Sequence, residues 1–156
     1  MYDSRCFDKS LILRDGVRLT SRIWLPHGNG PWPALLMRQP YGRKIASTIT
    51  YSHPRWWASK GYMVIIQDVR GMGSSEGVFN GFSQEASDTS ETHEWIRSLK
   101  ECNGKLGLYG FSYQGFTQLT GESNSQAPDC LSPAMTGMNI KDHWCSDGGA
   151  YWWHNN

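Results

Sequence analysis

The chain has 156 residues, 38% of them hydrophobic and 19% charged, which suits one globular domain with a real core and excludes a disordered segment. A formal net charge of +1 gives no electrostatic reason for nucleic acid or an anionic membrane as partner. Four well-separated cysteines (Cys6, Cys102, Cys130, Cys145) form no CxxC pair, so reduced, buried thiols are expected rather than a disulfide framework or a zinc site. The N-terminus "MYDSRCFDKS" has no apolar signal core, and no run is long enough to span a bilayer, so a cytoplasmic location is expected.

In chain order, "SLILRDGVRLTSRIWLP" reads as two strands around the turn Asp15-Gly16, a hairpin signal. The apolar run from Ala34 to Met37 is a short strand ended by Pro40, and "RWWASKGY" a short helix stopped by Gly61. From Tyr62 to Ile66 the chain is almost wholly apolar, as in a strand buried on both faces of a parallel sheet. Ser83 to Lys100 predicts an amphipathic helix, with Ser83 as cap, acids Glu85, Asp88 and Glu91 early, and Arg97 and Lys100 late. Ala86, Thr89, His93, Ile96 and Leu99 follow its helical spacing. "KLGLYGF" is the next strand, Tyr113 to Glu122 the next helix, and "LSPAMTG" one more strand. This alternation predicts an α/β fold around a largely parallel sheet.

The stretch "YGFSYQGF" places Ser112 between that strand and helix, with Gly110 two residues before it and Gly115 three after. A nucleophile elbow needs this context. The serine sits on a strained strand-to-helix turn with its Oγ exposed, and strand and helix backbones pass so closely that their neighbours must be small. The amides at the start of the following helix then face a developing oxyanion. On pattern alone, a glycine-rich turn without chemistry remains the competing reading.

Gln114 stands where the common G-x-S-x-G pentapeptide has its second glycine, giving G-x-S-Y-x-G. With "LLMRQPYGR", "GYMVIIQDVRGMGSSEG", "NGKLGLYGFSYQGFTQ" and "HWCSDGGA" in this order, the chain resembles the cocaine-esterase and Xaa-Pro dipeptidyl-peptidase group of α/β-hydrolases from about Leu11 to Ala150. That group includes α-amino-acid ester hydrolases and glutaryl acylases. The resemblance implies an α/β-hydrolase fold, with Ser112 as nucleophile and the Tyr113 backbone amide and Tyr41 hydroxyl as oxyanion donors. It also implies that Trp144 lines the acyl pocket. No cofactor is expected. The implied substrate is a small ester, an amide or a short peptide, cleaved through an acyl-enzyme. Homo-oligomerisation is left open.

Taken without the resemblance, Tyr41 reads as a pocket-rim or packing aromatic, and Trp144, Trp152 and Trp153 as a core cluster. Asp68 and Arg70 read as a paired charge holding the glycine-rich loop "GMGSSEG", with Glu76 also structural. That loop lacks the lysine and the spacing of a nucleotide site. His93 reads as solvated or packed, not as a ligand.

A triad also needs a histidine and an acid, in the order serine, acid, histidine. After Ser112 come Asp129, Asp142 and Asp147 with His143 and His154, and neither histidine matches the one the resemblance implies, which comes from much farther along. The chain is therefore expected to be the N-terminal part of an α/β-hydrolase catalytic domain, with a lid beginning near residue 137 and inactive by itself. The alternative is a non-catalytic α/β-hydrolase-like binding or scaffold protein.

Overall fold

The computed structural model describes residues 5–45, 51–148 and 150–151. Six strands form one mixed sheet: β1 (Arg5–Ile12), β2 (Arg18–Leu25), β3 (Trp32–Gln39), β4 (Met63–Asp68), β5 (Cys102–Phe111) and β6 (Cys130–Ala134), in the order β1-β2-β4-β3-β5-β6. β1 pairs antiparallel with β2, and β2 antiparallel with β4. The strands β4, β3, β5 and β6 are mutually parallel. The Asp15-Gly16 hairpin forms as its sequence requires: Gly16 has φ 87°, and Asp15 Oδ1 accepts from Val17 N–H at 3.0 Å.

β4 explains the two-sided core. All six of its residues are buried, and the four apolar ones alternate between two clusters. Met63 and Ile65 pack with Ile23, Leu36, Leu106 and Ile96, the last from helix α2 (Glu85–Ser98). Val64 and Ile66 pack with Trp24, Met37, Tyr109 and Ala58, the last from helix α1 (Pro54–Ala58). An unbroken apolar run is what a strand with a helix on each face needs. No helix among the described residues is long and apolar enough to cross a membrane.

Several expectations are corrected. α2 begins at Glu85 with Gln84 at its N-cap, and Ser83 instead donates its hydroxyl to Asn80 O at 3.0 Å. Glu85 and Asp88 are fully buried rather than lining a solvated first turn, because each meets an arginine: Arg38 from β3 and Arg70 from the loop after β4. The helix expected over 113–122 is one turn, α3 (Tyr113–Phe116). Beyond it, the Thr117 and Thr120 hydroxyls donate to the carbonyls of Gln114 and Thr117, each at 3.1 Å, in place of further helix. Only Cys102 of the four free cysteines is buried; Cys6 and Cys130 are exposed on the two edge strands.

Candidate active site

β5 ends at Phe111 and α3 starts at Tyr113, so Ser112 alone makes the turn. Its backbone sits at φ 58°, ψ −119°, a region non-glycine residues rarely occupy, at a cost of roughly 1–3 kcal/mol. Both backbone groups of Ser112 hold it there. Its N–H donates to Ala134 O on β6 at 2.9 Å, and its carbonyl accepts from Gly115 N and Phe116 N at 2.9 Å each. The Ser112 hydroxyl makes no hydrogen bond among the described residues.

The two glycines serve clearance. A Cβ on Gly110 would lie 2.3 Å from Gln114 Cβ, and one on Gly115 would lie 2.8 Å from Thr136 Cγ2. Neither distance is tolerable for a side chain, so the small residues are required by the close approach of strand, turn and β6.

Ser112 opens into a cavity of about 620 Å³ whose walls are chiefly Phe82, Met135, Ile140 and Trp144, with Thr136, His143 and Cys145. Phe82 stacks on Tyr113 (4.9 Å between centroids) and meets Phe116 (4.9 Å) and Trp144 (5.3 Å) edge-on. Trp144 belongs to a π-helical turn, Lys141–Cys145, that precedes the two-residue strands β7 (Ser146–Asp147) and β8 (Ala150–Tyr151). Sequence reading found Trp144 but missed Phe82, whose only signal was a lone aromatic just ahead of a helix.

Tyr113 N–H makes no hydrogen bond among the described residues, so this amide beside Ser112 is an unspent donor. With only one turn in α3, the helix dipole invoked from sequence adds little. The Tyr113 side chain runs the other way. Its hydroxyl donates to Glu85 Oε1 at 2.8 Å, with Gly81 O at 3.0 Å. Burial, then the Glu85 carboxylate, pushes this phenol well above its ordinary range. Glu85 is in turn held by buried Arg38, Nη1 to Oε2 2.7 Å, and Arg38 Nε donates to Gln67 Oε1 at 2.7 Å. A buried ionic network, in which Arg38 Nε and Nη1 are paired, thus anchors the residue that carries the amide.

Tyr41 is not among the residues that line this cavity. It is 54% exposed and lines a second one, of about 460 Å³, with Arg43, Asp68 and Ser74. Asp68 is not paired with Arg70, as sequence suggested. It accepts from Arg43 Nη1 (2.6 Å), from Arg43 N and from Ser74 N (3.1 Å), clamping the Tyr41 loop onto the glycine-rich loop. Arg70 binds Asp88 (2.7 Å) and Asp15 (2.6 Å), and Glu76 binds Arg18 (2.8 Å). His143 lines the Ser112 cavity, but its Nδ1 accepts from Asn139 N at 3.3 Å. No imidazole among the described residues hydrogen-bonds Ser112. His154, Trp152 and Trp153 lie outside the described residues. Among the described residues no group of three or more His, Cys, Asp or Glu side chains is placed to hold a metal ion.

Comparison with known proteins bears on the family and the fold. The sequence pattern of X-Pro dipeptidyl-peptidases of the S15 family matches residues 15–156. Cocaine esterase of Rhodococcus sp. (strain MB1 Bresler) is 34% identical over 145 residues, covering 88% of this chain and 25% of that protein. The chain therefore spans about a quarter of that relative's length. An α-amino acid ester hydrolase superposes with a TM-score of 0.66 at 27% identity, covering 89% of this chain and 27% of the other. A CocE/NonD family hydrolase from Staphylococcus aureus superposes with a TM-score of 0.77 at 24% identity, covering 88% of this chain and 29% of the other, and bears on the fold alone.

Proposed function

The chain belongs to the X-Pro dipeptidyl-peptidase (S15) family, and from that premise we propose that it carries the nucleophile and oxyanion donors of a serine hydrolase acting on ester or amide bonds. Ser112 Oγ attacks the carbonyl carbon of the substrate. The carbonyl π pair moves onto oxygen, where the Tyr113 N–H and the Tyr41 hydroxyl hold it. Collapse expels the alcohol or amine with a proton and leaves an acyl-Ser112 ester, which water cleaves to the acid and free serine. The acyl group rests on Phe82 and Trp144, in the cavity onto which Ser112 opens.

In this reading the segment from about residue 137 begins a lid, since Ile140, His143 and Trp144 wall the cavity from one side. The histidine base and its acid come from outside the described residues. The observation that carries the proposal is the backbone of Ser112, held at φ 58° by three hydrogen bonds with its hydroxyl left unspent beside that cavity.

The test uses the product of the complete reading frame, with p-nitrophenyl acetate as substrate and a fluorophosphonate as covalent probe. Ser112→Ala is expected to abolish labelling and to lower kcat by roughly 10⁴-fold or more. Undiminished hydrolysis in that variant would refute the nucleophile. A wild-type protein that neither labels nor turns over ester would favour a non-catalytic scaffold.

A further inference from the structure

The glutamine that replaces the elbow's usual second glycine is buried, and both ends of its amide are used. Gln114 is 4% exposed. Its Oε1 accepts from Phe111 N–H, one residue before Ser112, at 3.1 Å. Its Nε2 donates to Gln39 Oε1 at 2.8 Å. Gln39, fully buried at the end of β3, passes the link on: its Nε2 donates to the carbonyl of Gly42 at 3.1 Å. Gly42 follows Tyr41. Two side-chain amides thus join the turn that carries Ser112 to the loop that carries Tyr41.

The sheet places these ends side by side. β3 and β5 are adjacent parallel strands, so Gln39 and Phe111 both leave it at the same edge. Gln39 is fixed by its own backbone, whose carbonyl accepts from Val69 N–H at 3.1 Å. Tyr41 has no such fixing from burial, being more than half exposed. Its position depends on what holds the loop: Arg43, by its N–H and its guanidinium, on Asp68, Ser74 and Asp8, and Gly42 O on Gln39. Of these anchors, the bond from Gln39 to Gly42 O leads back to the elbow.

We propose that Gln39 and Gln114 are positioning residues, an amide relay that sets the Tyr41 hydroxyl relative to Ser112 and the Tyr113 amide. The relay touches no substrate. It fixes the separation of two oxyanion donors carried on different strands, and a hole whose donors are misplaced loses much of its value. The inference rests on the hydrolase reading above, and it explains why a bulky side chain stands where the common pentapeptide has none.

The experiment is a set of cycles in the complete protein, read by steady-state kinetics on p-nitrophenyl acetate and by thermal unfolding. Gln39→Leu and Gln114→Leu are each expected to lower kcat roughly 10- to 100-fold with KM within about twofold, as misplacement of a transition-state group should. Gln39→Leu should cost almost nothing further in a Tyr41→Phe background, because no hydroxyl remains for it to place. The Gln39→Leu/Gln114→Leu double variant should lose no more than the worse single, and it replaces both amide partners by apolar groups if a single variant folds poorly. Unchanged kcat in the leucine variants, where Ser112→Ala is inactive, would overturn the relay alone. So would an equal loss with and without the Tyr41 hydroxyl, the mark of a purely structural role. An active Ser112→Ala would overturn the hydrolase reading and the relay with it.

Discussion

Gly110 and Gln114 compete for one volume: a methyl group on Gly110 would sit 2.3 Å from Gln114 Cβ and 2.9 Å from the Gln114 carbonyl carbon. The side chain that the usual elbow lacks four residues after its first glycine is present here, and it fills the space above the strand. Gly110→Ala must therefore push α3 off β5. The expected loss is about 1–3 kcal/mol in unfolding free energy, the usual penalty for overpacking a tight contact. Gly115→Ala should cost less, because its contacts are longer (2.8 Å to Thr136 Cγ2, 3.1 Å to the Ala134 carbonyl oxygen) and its backbone is not at the positive φ of Gly110. Urea unfolding of both variants checks this order, and equal stability of Gly110→Ala and wild type would contradict it.

Ser112 provides a separable test of strain. Its φ of 58° costs energy for any residue with a Cβ and little for glycine. Ser112→Ala keeps that strain, whereas Ser112→Gly relieves it at the expense of roughly 0.5–1 kcal/mol of extra chain entropy. On balance Ser112→Gly should be about 1 kcal/mol more stable than Ser112→Ala, while both are inactive. A turn residue without strain would show the opposite order, so denaturation midpoints of the two variants decide it.

Tyr41→Phe removes one hydroxyl from an exposed side chain and should leave the melting temperature unchanged. If that hydroxyl holds the oxyanion, kcat falls by about 10²–10³, the range for loss of one such donor. An unaltered kcat returns Tyr41 to the rim of its own cavity beside Arg43 and Ser74.

The parts legible in the sequence were those fixed by local chemistry. Asp15-Gly16 announces its hairpin, the run 62–66 announces a strand covered on both faces, and Gly110, Ser112 and Gly115 announce a crowded turn. What escaped was non-local. Glu85 and Asp88 looked like first-turn acids answering a helix dipole, and their burial depends on Arg38 and Arg70, 47 and 18 residues away. The partner of Asp68 is Arg43 from the Tyr41 loop, not its near neighbour Arg70. The helix after Ser112 was read too long because threonine hydroxyls can compete for its carbonyls, which no hydrophobic period records. The carrier of Tyr41's position, Gln39, showed nothing in sequence beyond its place at the end of an apolar run.

His93 gives the fold a pH dependence whose sign follows from its surroundings. It lies on the inner face of α2, 3% exposed, and its Nε2 makes no hydrogen bond among the described residues. Burial first, and then the positive charges of Arg38 and Arg97, push the imidazole down to about 3. In the unfolded chain a histidine titrates near 6.5, so between those values the unfolded state holds the extra proton. Stability rises with pH across that window: it is lost as pH falls below about 6.5, and the loss stops only near pH 3. By pH 4 the contribution of this one group is roughly 3 kcal/mol. His93→Gln, which cannot take the proton, should lose less stability than wild type between pH 7 and pH 4 by about that amount. Carboxylates such as Asp8, held down to about 2 by hydrogen bonds from Arg22 and Arg43, contribute equally to both proteins and cancel. Urea unfolding at the two pH values measures the difference, and parallel pH slopes for wild type and His93→Gln would show that the buried imidazole takes up its proton without unfolding.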